Sequence, residues 1–388
     1  TRSAGPVYVI AGSTAGNSLS DISKIVSGAS HSLALKSDGS RVYAWGSNLY
    51  GQLGNGDYSD ATTPVEVVNT DGTGFLTGVV DIAAGGAHSL ALLSNGTEST
   101  ADDTVKSWGY NEYGQLGDGT TTNRLTPVTV SGLSGVTAIA AGWKHSLALL
   151  SNGTETIADD TVKSWGYNEY GQLGDGTTTD RLTPVTVSGL SGVTAIAAGW
   201  AHSLALLSNG TETTADDTVK SWGWNYYGQL GDGTTTDRLT PVTVSGLSGV
   251  TVIATGWYHS LALLSNGTET TADDTVKSWG ANHFGQLGDG TWTNRLTPVT
   301  ASGLSGVTAI AAGWEHSLAL LSNGTVKSWG SNYFGQLGDG TKTNRLTPVT
   351  VSGLSGVTAI AAGSFHSLAL LSNGTESTAD DTVKSWGY

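Results

Sequence analysis

The residues best equipped for chemistry are seven histidines: His31, His88, His145, His202, His259, His316 and His366, each opening a His-Ser-Leu-Ala-Leu segment. Imidazole titrates near neutrality and ligates metals, so seven at one repeated position could form a metal site or a pH sensor. No Asp, Glu or second His stands at a ligand spacing within the motif. Each ring is therefore expected to satisfy backbone groups around the glycine turn before it, because buried polar groups are normally hydrogen-bonded.

Carboxylates are the second candidates. Glu98, Glu155, Glu212, Glu269 and Glu376, with five Asp pairs from Asp102-Asp103 to Asp380-Asp381, lie in insertions that recur along the chain. Calcium takes such clustered oxygens, but the Asp-x-Asp-x-Asp-Gly arrangement is missing, so a solvated acidic rim is expected and calcium is not favoured. Gly-Asp-Gly-Thr loops at Asp118, Asp175, Asp232, Asp289 and Asp339 invite a phosphate or calcium reading. With no Gly-Lys-Ser/Thr, no Gly-x-Ser-x-Gly elbow and no nucleophile beside a base, they read as turns bonding their own backbone. No catalytic residue, cofactor or metal is expected, and the chain is read as a non-enzyme.

The elements that position these residues follow from their spacing. The histidines lie 57 residues apart five times and then 50, and each is followed by a Trp-Gly pair, at Trp45, Trp108, Trp165, Trp222, Trp279, Trp329 and Trp386. All seven prolines stand in Pro-Val pairs. Apolar runs are short and bounded by Gly, Asn, Asp and Ser, and none has a helical period, so each unit reads as four strands. In the third unit these are expected at Val136 to Ala141, His145 to Leu149, Val162 to Trp165 and Pro184 to Val187. Four short antiparallel strands at this period make a propeller blade, because one such sheet cannot bury both faces alone. The fold class is all-β, a closed seven-bladed propeller, and residues 1–388 form one domain.

The cut in the ring is also visible. Gly-Gln-Leu-Gly occurs six times, and the last unit stops at Tyr388 before its Pro-Val strand, while the N terminus carries a spare one at Pro6, Val7, Tyr8, Val9 and Ile10. Residues 1–10 are expected to complete the last blade, with 11–20 as linker and 21–388 as the seven repeats, which removes two exposed edges. In an up-down meander, the Gly-Trp-x-His turns and Gly-Gln-Leu-Gly-Asp-Gly loops share one face. The Ser-Asn-Gly-Thr turns and Ser-Gly-Leu-Ser-Gly crossovers share the other.

Composition narrows the partners. A formal net charge of −15 with 17 Lys plus Arg repels phosphate backbones, so no nucleic acid is expected. No apolar run approaches the ~18 residues of a membrane span. There is no cysteine to report a redox compartment. The chain opens at Thr1 without a charged and apolar leader, as expected if a targeting peptide was removed or never existed.

The order Ala-Ala-Gly-x-x-His-Ser-Leu-Ala-Leu, Asn-Gly-Thr, Val-Lys-Ser-Trp-Gly, Asn-x-[Tyr/Phe]-Gly-Gln-Leu-Gly-Asp-Gly-Thr and Pro-Val resembles the regulator-of-chromosome-condensation repeat family over nearly the whole chain. The resemblance implies protein recognition through face loops, although the fold hosts many jobs. A family member that senses UV-B carries Gly-Trp-Arg-His-Thr. Here Trp143, Trp200, Trp257 and Trp314 match its tryptophan, but its arginine is replaced by Lys144, Ala201, Tyr258 and Glu315, so photoreception is not expected.

Two readings stand for those four tryptophans, an aromatic arc that binds a partner or simple loop packing. Trp143, Trp200, Trp257, Trp314, Lys144, Tyr258 and Glu315 are the partner-binding candidates. Asn-Gly in Ser-Asn-Gly-Thr suggests type I′ hairpins, and the same residues form glycosylation sequons at Asn95, Asn152, Asn209, Asn266, Asn323 and Asn373. The expectation is a secreted or cell-surface interaction scaffold binding a protein partner. Its alternative is a self-assembling homopolymer in which the N-terminal strand completes a neighbouring copy.

Overall fold

The computed structural model describes residues 3–10, 19–94, 103–151, 160–208, 217–265, 274–372 and 381–388. Their 28 strands assemble as seven four-stranded antiparallel sheets, six of them in simple chain order. Burial explains the pattern within a blade. The innermost strand, such as Val136–Ala141, is rich in alanine because seven such strands converge on one axis. The second strand, His145–Leu150, is buried along almost its whole length, as its unbroken apolar run requires. The third, Thr161–Gly166, ends in the tryptophan that fills the space between blades.

The outermost strand departs from expectation. It runs Arg181–Thr186 rather than Pro184 to Val187, and its register slips between the pairs Ser164↔Val185 and Gly166↔Arg181. Pro184 has no N–H to give the ladder, so it sits beside that irregularity on a strand with one free edge.

Ring closure occurs as the spare strand implied, over a shifted range. Ser3–Tyr8 pairs antiparallel with Thr382–Gly387, so the seventh sheet contains both ends of the chain. Pro6, Val7 and Tyr8 lie within the strand, whereas Val9 adds one further bond, from its N–H to the Val383 carbonyl, and Ile10 lies beyond the strand. Of the expected linker, residues 11–18 lie outside the described residues. Leu19 is buried and Ser20 bridges to Thr382.

The hairpin turn also differs. At Leu321 to Thr325 the Gly324 N–H bonds the Leu321 carbonyl, and Gly324 has φ 77°. Asn323 is not left-handed, since Asp21 is the one non-glycine with positive φ among the described residues. The turn is thus a tight αR pair closed by a left-handed glycine, the three-residue hairpin form, rather than type I′. The Asn323 side chain accepts from the Thr325 N–H, which holds the pair in place. Asn95, Asn152, Asn209, Asn266 and Asn373 lie outside the described residues, as do the five insertion glutamates. The second aspartate of each pair is described, and it corrects the expectation of a wholly solvated rim. Asp103, Asp160, Asp217, Asp274 and Asp381 each directly precede a third strand and are buried where the chain re-enters the sheet.

Candidate functional site

The histidines bond across blades, not to their own turns. Each Nε2 lies 2.9–3.0 Å from the serine Oγ of the next blade, from His31 with Ser89 round to His366 with Ser32. Six of those serines give their hydroxyl proton to the backbone carbonyl of a Gly-Gln-Leu-Gly glutamine, as Ser89 does to Gln52 and Ser146 to Gln115. The hydroxyl therefore accepts from imidazole, which fixes the tautomer with hydrogen on Nε2. The same carbonyl also accepts from an indole, with Trp108 Nε1 at 2.9 Å from Gln52 O and Trp165 Nε1 at 2.8 Å from Gln115 O. One tetrad carbonyl thus receives two donors from the adjoining blade. Burial, reinforced for most by a neighbouring imidazole, lowers the histidines from the usual 6.5 to about 3, and His366 to about 4. The ring is a neutral structural lock, which removes it from the list of metal or proton-transfer candidates.

The axis leaves little space for chemistry. Seven glycines, from Gly28 to Gly363, line it, and a Cβ placed on any of them would stand 2.3–2.6 Å from the next blade's glycine carbonyl. The axial cavity is about 70 Å³ and its walls are chiefly Gly, Ala, Ser and Thr, with Trp143 and Trp257. The Gly-Asp-Gly-Thr aspartates are likewise spoken for. Asp118 Oδ1 accepts from the Thr120 N–H and hydroxyl and from Asn111, while Oδ2 takes Arg124 at 2.6 Å, and the other four loops repeat the pairing. Among the described residues no group of three His, Asp or Glu could hold a metal.

What this face offers instead is aromatic. Trp143 and Trp257 meet with ring centroids 4.2 Å apart although their blades are not neighbours, and Trp257 meets Trp314 at 4.3 Å. These three tryptophans gather at the axial end, because their turns converge there. Trp200 does not join them and packs outward against Trp224 and Tyr258. The expected arc of four is a central cluster of three with one outlier. Around it runs a belt from Tyr50 through Tyr110, Tyr113, Tyr167 and Tyr170 to Trp200 and Trp224, and on the far side from Trp314 through Phe365 and Phe334 to Tyr388.

The remaining candidates fall into this belt. Lys144 Nζ sits 4.2 Å above the Tyr113 ring, a cation–π contact. Tyr258 touches Trp200, Trp224, Tyr227 and Trp257, and burial raises its hydroxyl. Glu315 is half-buried among these rings, and burial raises it from 4.5 to about 7. Its folded value lies above its unfolded one, so its contribution to stability is present at low pH and is lost as pH rises toward 7. Glu315→Gln should therefore raise the melting temperature at pH 8, with the gain shrinking toward pH 4.5. A gain that does not change with pH would contradict this placement.

The belt residues were missed because each looked like a motif position. The signal lay in the two variable slots, after Trp-Gly (Tyr110, Tyr167, Trp224, Tyr388) and before Gly-Gln-Leu (Tyr50, Tyr113, Tyr170, Tyr227, Phe284, Phe334). Leu49, Tyr226, Trp292 and Tyr333 from the same loops expose more than half their surface.

A ring of four-stranded sheets with interchangeable locks and one variable, aromatic loop face defines a repeat β-propeller that displays loops. Six stretches, 40–92, 102–149, 159–206, 216–263, 273–320 and 323–370, match the regulator of chromosome condensation (RCC1) repeat, and a second form of that repeat matches seven, from 22–52 to 357–388. The chain belongs to the RCC1 repeat family. It is 35% identical over 308 residues to the Arabidopsis thaliana ultraviolet-B receptor UVR8, covering 77% of this chain and 63% of the receptor. It is 36% identical over 304 residues to the human E3 ubiquitin-protein ligase HERC2, covering 76% of this chain and 6% of the ligase. The chain thus spans less than two thirds of either relative's length. Among solved structures it is similar to human WBSCR16, with TM-score 0.73, 25% identity and 95% and 87% of the two chains covered. Saccharomyces cerevisiae Prp20p shares the fold, with TM-score 0.69, 22% identity and 95% and 83% covered.

Proposed function

We propose that the protein is a non-catalytic interaction scaffold that captures a protein partner on its aromatic loop face. One observation carries the reading: repeats that are otherwise nearly identical differ most on this face. The two positions before each histidine read Ala-Ser, Gly-Ala, Trp-Lys, Trp-Ala, Trp-Tyr, Trp-Glu and Ser-Phe round the ring. A core needs identical seams, whereas a surface fitted to a partner needs seven different edges. Exposed aromatic side chains are the type that dominates binding energy. Support by analogy comes from Prp20p, whose structure is described with its binding properties to Gsp1p and histones.

A secreted or cell-surface setting is part of the proposal, resting on the acidic balance and the surface sequon at Asn323. Self-assembly by strand exchange is the second reading, resting on the separable N-terminal strand, whose Val7 and Tyr8 remain 45% and 55% exposed. Partner capture by the purified protein should fall at least ~10-fold in a Tyr226→Ala, Trp292→Ala, Tyr333→Ala triple variant with unchanged melting temperature. Capture equal to wild type would remove the face from consideration, and fibres that vanish on deleting residues 1–10 would favour self-assembly.

A further inference from the structure

Three neighbouring junctions on the aromatic face are built alike, and one of them carries a cation of its own. In each, the residue directly before the blade's histidine accepts, through its backbone carbonyl, from the N–H of the aromatic residue that follows Trp-Gly. Ala87 O takes the Tyr110 N–H at 2.9 Å, Lys144 O the Tyr167 N–H at 2.9 Å and Ala201 O the Trp224 N–H at 2.8 Å. A second ring arrives from the preceding blade, held by its N–H on the side chain of the Gly-Gln-Leu glutamine. These bonds run from Tyr50 to Gln52, Tyr113 to Gln115 and Tyr170 to Gln172, at 2.9–3.1 Å. The two rings of each junction therefore meet in an angled corner, with centroids 4.6 Å apart for Tyr50 and Tyr110, 4.9 Å for Tyr113 and Tyr167, and 5.9 Å for Tyr170 and Trp224.

The middle corner shows what such a pair of rings accepts. Lys144 Nζ lies 4.2 Å from the centre of the Tyr113 ring and 5.6 Å from that of Tyr167, so one ammonium serves both π systems. Glu169 accepts from the Tyr167 hydroxyl, which places an anion at the rim of the same corner. The third corner is closed by Trp200, whose ring meets Tyr170 at 6.0 Å and Trp224 at 5.0 Å. The first differs from both. The residues before its histidine are Gly86 and Ala87, so the chain brings a methyl group where the middle corner has an ammonium. Its two tyrosines are half-buried, and the exposed Glu112 accepts from the Tyr110 hydroxyl as Glu169 does from Tyr167.

We infer that the corner formed by Tyr50, Tyr110 and Glu112 receives a lysine or arginine side chain, so that the segment captured on this face is a basic polypeptide. The inference rests on the proposed capture and adds the chemistry of what is captured. Two observations agree on it. Lys144 seats in the equivalent corner the very group that a partner's lysine would bring. The chain also carries 32 Asp plus Glu against 17 Lys plus Arg, a surplus that draws cationic segments and keeps anionic ones away. An apolar side chain would touch the rings but would strip water from Glu112 and give nothing in return.

The probe is a fluorescein-labelled peptide of four Lys-Gly-Ser repeats, titrated with the full chain at low ionic strength and followed by anisotropy, with a Gln-Gly-Ser peptide as its uncharged control. Saturable binding of the lysine peptide alone is expected. Ala87→Lys, which copies Lys144 at its own backbone position, should weaken that binding about fivefold, because the corner is then filled in cis. Thr121→Lys adds the same charge to the same face, at the position that is Lys342 in another blade, and should change binding by less than about twofold. Conversely, Lys144→Ala should strengthen binding about threefold by freeing the middle corner, against little change for the charge-matched Lys342→Thr. Each substitution installs a residue that another blade already carries at that position, and unchanged melting temperatures are the folding control. No saturable binding, or equal effects within either charge-matched pair, would overturn the inference. The Tyr226, Trp292, Tyr333 triple variant keeps this corner and tests the face separately. A face that captures its partner through those three residues while refusing the lysine peptide would leave the proposed function standing and this inference refuted.

Discussion

Acidification from pH 7 to pH 3 is expected to unfold the protein cooperatively, with most of the loss between about pH 6 and pH 4. The histidine ring sets this window. Folded values of about 3 to 4 lie below the ordinary 6.5, so the neutral ring's contribution is fully present above about pH 6.5 and is lost as pH falls toward the folded values. At pH 5 each ring costs about 2 kcal/mol, and seven together amount to on the order of 10 kcal/mol. That is comparable with the whole stability of an ordinary domain, about 5–15 kcal/mol. Burial is the principal cause throughout, with a neighbouring histidine second at most positions. The measurement is circular dichroism against pH together with proton uptake on unfolding at pH 5, expected to exceed four protons. A midpoint below pH 3, or uptake of one proton or fewer, would refute the lock as described.

The second large effect comes from a single methyl group on the axis. Gly256→Ala should prevent folding or lower the melting temperature by more than about 10 °C, since overpacking without room to relax costs several kcal/mol. The added carbon would lie 2.3 Å from His259 Cε1 and 2.5 Å from the Gly313 carbonyl. Neither neighbour can retreat. The imidazole is tied to Ser317 at 2.9 Å, and the carbonyl belongs to the same inner ring of strand turns. Gly5→Ala is the matched control, because nothing stands within 4 Å of its Cβ position. It should melt with the wild type; equal behaviour of the two variants would mean that the axis is looser than its distances imply.

Much of this architecture was legible because strands, turns and blade count are local or periodic properties. Trp165 could be placed between blades, and the Pro-Val segment at the N terminus could be assigned to the last blade, from their positions in the repeat alone. The partners of the histidines were not legible. His145 bonds Ser203, 58 residues on, so its hydrogen bond exists only after two blades have been stacked side by side. The glutamine carbonyl is hidden more deeply, because a backbone oxygen carries no residue type to read. The tryptophan cluster failed for a related reason: Trp143 reaches Trp257 across the axis, and only the radius of the ring decides which rings meet. The rims of strands shifted where proline and tight turns overrode the apolar pattern, at Pro184 and at Asn323.

The repeated seam has a consequence for how such a protein can change. Each of the six junctions made by a tetrad carbonyl uses one oxygen, one indole, one hydroxyl and one imidazole, all drawn from positions that do not vary among those blades. A blade is therefore a cassette with standard connectors. Copying or exchanging one, with its two variable residues before the histidine, rewrites one seventh of the display surface and leaves every connector matched. Diversity at the rim and uniformity at the joints are two aspects of a single arrangement, in which new specificity can be acquired by shuffling whole units without redesigning the interior.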